Sequence, residues 1–198
     1  GVGTGVDLVR EQVRVDSGEP LSFTQDDVER RGWGMEVRVN AENTAGGAFL
    51  PAPGRIDKLV APQGFGTRWD GGYESGDEVS QFYDNLVGKL IVWAPDRESA
   101  RQRLLRALSE FEISGVHTTI PAHVALLSTD DFAAVNHSTR WVEGEVDQAL
   151  LTGASDAPTG APAAEGEEPE ELIERTVPVE VDGKRFTVKL WMPEAPVV

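Results

Sequence analysis

Apolar and polar residues alternate through Met35-Glu-Val-Arg-Val-Asn40. An extended segment there puts Met35, Val37 and Val39 on one face and Glu36, Arg38, Asn40 and Glu42 on the other. Before it, Val6, Leu8, Val9 and Val13 recur at helical intervals, with Asp7 in the first turn and Asp16-Ser-Gly18 as a stop. That pattern predicts a helix over 6–16 whose apolar stripe needs a partner surface. From Arg31 to Trp93, short β-type runs are punctuated by Pro51, Pro53, Gly54, Gly64, Gly66, Gly71, Gly72 and Gly76, which predicts a mostly antiparallel sheet. The continuous apolar run Leu90-Ile-Val-Trp93 predicts a strand covered on both faces.

Asp96 stands where a helix cap belongs, and the helix it opens runs through Glu110. Ala100, Leu104, Ala107, Leu108 and Phe111 form one stripe, with Arg97, Arg101, Arg103 and Glu110 outside it. Pro121 opens a shorter helix carrying Val124, Leu126 and Leu127, and Thr129-Asp-Asp-Phe132 begins a further turn. Helices mixed with antiparallel strands give an α+β fold class. From Thr152 to Glu171 the chain turns to Ala, Gly, Pro, Ser and Glu, too poor in large apolar residues to offset the entropy of ordering, and reads as a linker. Beyond it, two alternating runs, 176–181 and 185–191, flank Asp182-Gly183 and predict a β-hairpin. The boundaries expected are 1–30, 31–150, 151–175 and 176–198.

The 39% hydrophobic content over 198 residues suffices for one good core. No apolar run approaches the ~20 residues needed to span a bilayer and no signal-like segment opens the chain, so a soluble, cytoplasmic protein is expected. A formal charge of −16 argues against nucleic acid and anionic membranes as partners. Much of the acidity is local, at Glu165, Glu167, Glu168, Glu170, Glu171 and Glu174. The absence of cysteine excludes disulfides and thiolate metal sites. His117, His123 and His137 lack the close spacing of a ligand pair, so no metal site is expected from them. Gly1-Val-Gly-Thr-Gly5 imitates a phosphate loop but is neither preceded by a strand nor closed by G-K-[ST].

Arg38 carries the candidate chemistry. A guanidinium keeps its charge and offers planar paired donors, suiting an oxyanion, a carboxylate or a developing enolate. The pattern alone leaves two readings open: a salt-bridged, solvated strand face with Arg38 held by its polar neighbours, or an anion-stabilising residue.

Several blocks occur in order: R-G-x-x-x-E-x-R-x-N-A-E at 31–42, Phe49-Leu-Pro-Ala-Pro-Gly54, Gly64-Phe-Gly-Thr-Arg-Trp69, Phe82-Tyr-Asp-Asn-Leu-Val-Gly-Lys-Leu-Ile91 and Gly115-Val-His-Thr-Thr-Ile-Pro121. Together they resemble the C-terminal part of a biotin carboxylase, over about Thr4 to Glu143. Thr4 to Gln12 resembles the last helix of that family's ATP-grasp domain. The resemblance implies that Arg38 faces biotin and stabilises its enolate while carboxyphosphate delivers carbon dioxide. It implies that Phe65, Arg68 and Asp84 lie at a subunit interface, and that Thr139 and Arg140 pass near the adenine of ATP. The implied cofactors are biotin on a separate biotinyl domain, and ATP with Mg or Mn, bound mainly by residues upstream of Gly1. The implied partners are that biotinyl carrier domain, a second copy of the carboxylase domain and a carboxyltransferase subunit. The tail points to an acyl-CoA carboxylase. A fragment of such an enzyme, inactive alone, is expected. The alternative is a non-catalytic assembly module that dimerises or docks the carboxyltransferase through its hairpin. The sequence departs from the family pattern at Trp33-Gly34, where His-Ala is common, and at Ser80-Gln81, where prolines often stand.

Overall fold

A computed structural model of the chain describes residues 1–152, 172–181 and 184–193. It divides into two units near residue 160. In the first, helix α1 (Leu8–Asp16) is capped by Asp7, whose carboxylate accepts from the Arg10 amide. Leu8, Val9 and Val13 are each more than 60% exposed, so the apolar stripe legible in the sequence has no cover among the described residues. Glu11 ties the helix to the following connection, accepting from the amide and hydroxyl of Ser22 at 2.9 and 2.6 Å. Those bonds hold its carboxyl below the ordinary range.

The frame of the domain is a three-stranded antiparallel sheet. It combines β1 (Trp33–Asn40) with two later strands, and the short segments β2 (Glu42–Asn43), β3 (Leu50–Pro51), β4 (Gly54–Arg55) and β5 (Lys58–Val60) lie between them in the chain. The sheet partners are β6 (Thr67–Gly71) and, after the short β7 (Glu78–Val79), the long strand β8 (Leu86–Ala94), in the order β1-β8-β6. β2 pairs with β3 and β4 with β7. Helix α2 (Arg97–Ser109) follows, capped by Asp96 on the Ser99 amide at 2.8 Å. Strand β9 (Glu112–Ser114) then returns to pair with β5. The chain closes this unit with α3 (Ile120–Leu127), α4 (Asp130–Ala133), α5 (Trp141–Gly144) and α6 (Gln148–Thr152).

The core lies between one sheet face and α2. Val37, Val39, Leu90 and Val92 meet Leu104, Ala107 and Leu108, all buried, and Trp69 closes it edge-on to Phe111 with ring centroids 4.9 Å apart. Strand β8 differs from expectation. Its residues alternate, with Leu90, Val92 and Ala94 buried while Ile91 and Trp93 are only half-buried. A continuous apolar run therefore stands on a sheet covered fully on one face, because among the described residues α2 packs on that face and the other carries Glu36, Arg38 and Arg68 in register.

The arginines outside the α2 stripe are structural ties. Arg97 donates to the carbonyls of Ala133 and Phe132 at 2.9 and 2.7 Å, and Arg101 to that of Leu127 at 2.8 Å. These carbonyls stand at the C-terminal ends of α3 and α4, where cations belong. Leu151, at the start of the expected linker, is fully buried. The rest of that segment, 153–171, lies outside the described residues.

In the second unit, β10 (Leu172–Val181) pairs antiparallel with β11 (Lys184–Pro193) in continuous register. The expected strands are present and longer than read, and the Asp182-Gly183 turn falls outside the described residues.

Candidate functional site

Arg38 sits at the middle of β1, an edge strand, opposite Lys89 of β8, which in turn lies opposite Asp70 of β6. Paired residues share a face. Arg38 and Lys89 therefore stand together with Arg68 and Asp70 on the side away from the core. The expectation that polar neighbours hold the Arg38 side chain is not met. Glu42 Oε1 instead accepts from Asn40 Nδ2 at 3.0 Å and from Asn85 Nδ2 at 2.7 Å. The register shift between Val39 and Asn40 leaves Val87 of β8 unpaired, and Glu42, in β2 beyond the end of β1, is drawn to Asn85 just ahead of β8 and away from Arg38. Asp70 is engaged by Arg68 through two bonds at 2.7 and 2.8 Å. The Arg38 guanidinium, exposed to solvent, makes no hydrogen bond or ion pair with the described residues. Its donors are free for a ligand anion.

The backbone beneath that side chain is fixed. The Arg38 carbonyl accepts from the Thr119 hydroxyl at 2.9 Å and from His123 Nε2 at 2.8 Å. Thr119 is 4% exposed. Burial pushes the His123 pKa down, opposed by its bond to the Arg38 carbonyl and by the charge of Glu42, so the imidazole is held neutral with its proton on Nε2. Neither Thr119 nor His123 stood out in the sequence as a site residue.

On the opposite face of β1 a cleft of about 480 Å³ is lined by Met35, Val37, Leu104, Phe132, His137 and Trp141 among others, and His123 and Ser138 reach its wall. His137 stacks on Phe132 with centroids 4.6 Å apart. Val135, in the left-handed region at φ 64°, turns the chain just before His137. Thr139 and Arg140 follow Ser138 and are exposed, and neither lines the cleft. They are therefore adjacent to its rim along the chain, on a different segment from Arg38.

Of the three residues assigned to an interface, Phe65 and Arg68 lie at the β6 edge of the sheet, while Asp84 lies at the opposite end of β8 from Phe65. Phe65 is 82% exposed, edge-on to Trp93 at 6.4 Å, with the Arg103 guanidinium 5.8 Å from its ring. Arg68 is committed to Asp70 within the chain. Asp84 is exposed and caps the turn into β8 by accepting from the Leu86 amide at 2.8 Å. Phe82 and Tyr83 beside it are 88% and 86% exposed. Among the described residues no group of three His, Asp or Glu side chains is placed to hold a metal, and no helix is long and apolar enough to cross a membrane.

The profile of the biotin carboxylase C-terminal domain matches residues 36–144. A pyruvate carboxylase subunit of Methanothermobacter thermautotrophicus is 48% identical over 140 residues, covering 71% of this chain and 28% of that protein. The biotin-dependent acyl-coenzyme A carboxylase alpha3 subunit of Mycobacterium leprae is 37% identical over 191 residues, covering 94% of this chain and 30% of that protein. Among solved structures, the biotin carboxylase domain dimer of Hydrogenobacter thermophilus 2-oxoglutarate carboxylase, in complex with MgADP, ADP and bicarbonate, superposes with a TM-score of 0.71 at 39% identity. That match covers 76% of this chain and 32% of the other. The chain thus spans about three-tenths of the length of these relatives. With Arg38 inside the matched region and the α+β fold in common, this chain belongs to the biotin carboxylase C-terminal domain family.

Proposed function

We propose that the chain works as the C-terminal part of the biotin carboxylase component of an acyl-CoA carboxylase, in the ATP-dependent carboxylation of carrier-bound biotin by bicarbonate. The observation that carries this reading is the free guanidinium of Arg38, exposed on a strand face where Glu42 and Asp70 are already engaged by other partners. Biotin supplies the ureido nitrogen that takes the carboxyl group. Its ureido group would become anionic on deprotonation by a base of the complete enzyme, and a fixed bidentate cation on this face would stabilise that charge. Arg38 would supply that cation. Lys89, its cross-strand neighbour, adds positive potential to the same face.

Thr139 and Arg140 offer an exposed hydroxyl and guanidinium towards the nucleotide base, with ATP phosphates and Mg or Mn held by an ATP-grasp segment. The tail supports the acyl-CoA assignment: similarity to the Mycobacterium leprae alpha3 subunit runs over 191 residues, whereas that to the pyruvate carboxylase component extends over 140. In this reading 153–171 links the domain to the β10–β11 pair, which leads towards a biotinyl domain and the carboxyltransferase. Self-association through Phe65, Arg68 and Asp84 completes the assembly. An exposed aromatic ring beside arginines is the composition of an interface hot spot.

The test replaces the matched 140 residues of the Methanothermobacter protein with the equivalent part of this chain and measures biotin-dependent ADP release. Activity that falls by about 100-fold or more on Arg38→Ala, to a still measurable residual level, supports the reading. An inactive but folded and ATP-binding chimera favours the non-catalytic assembly module, and an Arg38→Ala variant of undiminished activity contradicts the role of Arg38.

A further inference from the structure

Among the described residues, the outer edge of β1 is closed by side chains in place of a neighbouring strand. At the one point where the β1–β8 register shifts, between Val39 and Asn40, the edge faces the start of α3. There the Thr119 hydroxyl accepts from the Asn40 amide at 3.1 Å and donates to the Arg38 carbonyl at 2.9 Å, while the Thr119 amide donates to the Asn40 carbonyl at 3.1 Å. One residue thus makes the bonds that a strand partner would make to Arg38 and Asn40. His123, one helical turn on, adds a second donor to the Arg38 carbonyl at 2.8 Å, and its own amide bonds the Thr119 carbonyl at 3.0 Å. The two clamping side chains are therefore coupled to each other as well as to β1.

We propose that Thr119 and His123 are positioning residues that fix the backbone of Arg38, and with it the direction of the guanidinium. The proposal rests on the catalytic reading of Arg38. The neighbouring strand β8 bulges at Val87, one residue beyond Arg38 along β1, so the ladder holds the edge strand less regularly there unless its outward carbonyl and amide are bonded. A carbonyl with two donors, one from a buried hydroxyl, loses that freedom. A guanidinium that makes no bond of its own to the described residues depends on its backbone for aim. Misplacement by about 1 Å costs a reaction up to ~100-fold, so the clamp acts on turnover through Arg38 without touching substrate.

The test is made in the chimera described above, with kcat for biotin-dependent ADP release measured for Thr119→Val, Thr119→Ser, His123→Leu and His123→Gln, each alone and combined with Arg38→Ala. Valine and leucine remove the donors; serine and glutamine keep one within reach. The expected result is a roughly tenfold fall in kcat for Thr119→Val and His123→Leu at unchanged KM for ATP. Serine and glutamine should stay within about threefold of the parent, and the valine and leucine changes should cost nothing further once Arg38 is gone. Should Thr119→Val fail to fold, the His123 pair decides on the same criteria. Parental turnover in the valine and leucine variants, with Arg38→Ala still impaired, overturns the clamp and leaves Arg38 standing. A fall of equal size in the Arg38→Ala background also overturns it, because the effect would then be general to the fold. An Arg38→Ala variant of full activity removes the underlying reading instead.

Discussion

Leu151→Ala tests whether the domain ends where its composition suggests or one helix later. Leu151 is 0% exposed, while its neighbour Leu150 is 40% exposed. The substitution removes three buried carbon atoms, worth about 0.8 kcal/mol each in transfer from water, or about 2.4 kcal/mol in all. A cavity term would add to this in a rigid interior. Here α6 is a five-residue element packed on α3 and on the 3₁₀ turn Ala45–Gly47, and it can shift to close the gap. The loss should therefore be about 2–3 kcal/mol, lowering the melting temperature of this unit by roughly 5–10 °C. The assay is urea unfolding followed by tryptophan fluorescence, with Leu150→Ala expected to lie within about 0.5 kcal/mol of the parent. Equal, small effects from the two substitutions would refute the docking of α6 and return residue 151 to the linker.

Val135→Asn should raise stability by about 1 kcal/mol, since asparagine tolerates the left-handed backbone that a β-branched residue resists and Val135 is 59% exposed; a lower melting temperature would contradict the strain. Because burial depresses the His123 pKa below its ordinary 6.5, the unfolded chain binds the proton more readily, so this contribution to stability is complete above pH 6.5 and is lost as pH falls through the folded value. The difference between parent and His123→Gln in urea unfolding should shrink over that window; a difference independent of pH would contradict the assignment. Phe65→Ala and Arg68→Ala should weaken self-association at least about tenfold in sedimentation experiments on the full chain while moving its melting temperature little, given their 82% and 64% exposure. Unchanged association would remove them from the interface.

The helices and the β1 pattern were legible because their signals are local. Asp96 and the stripe Ala100, Leu104, Ala107, Leu108 specify α2 through capping and a 3.6-residue period, and the observed helix begins and ends within one residue of that reading. The two-residue alternation of Met35, Val37 and Val39 likewise marked the buried face. What was not legible depends on contacts between distant segments. Glu42 is taken by Asn85, 43 residues away, and the Arg38 carbonyl by Thr119 and His123, 81 and 85 residues away. No periodicity encodes such pairings. The half-covered second face of β8 was misread for a related reason: an apolar run reports what a strand tolerates on its faces, whereas the number of layers packed on it is decided by α2. Leu151 escaped because a single leucine pair ahead of a Gly, Ala and Pro tract carries too little pattern to signal a helix.

The central claim, that Arg38 stabilises a developing anion through its paired donors, is tested most directly by biotin-saturated turnover of the Arg38→Lys chimera. Lysine keeps the positive charge but loses the planar paired donors. The expected result is a fall in kcat of about 100-fold or more with the KM for ATP within about twofold of the parent, as follows when a fixed donor set for a developing anion is removed. Turnover within about threefold of the parent would contradict the claim, showing that any cation on this face suffices or that Arg38 takes no part in the reaction.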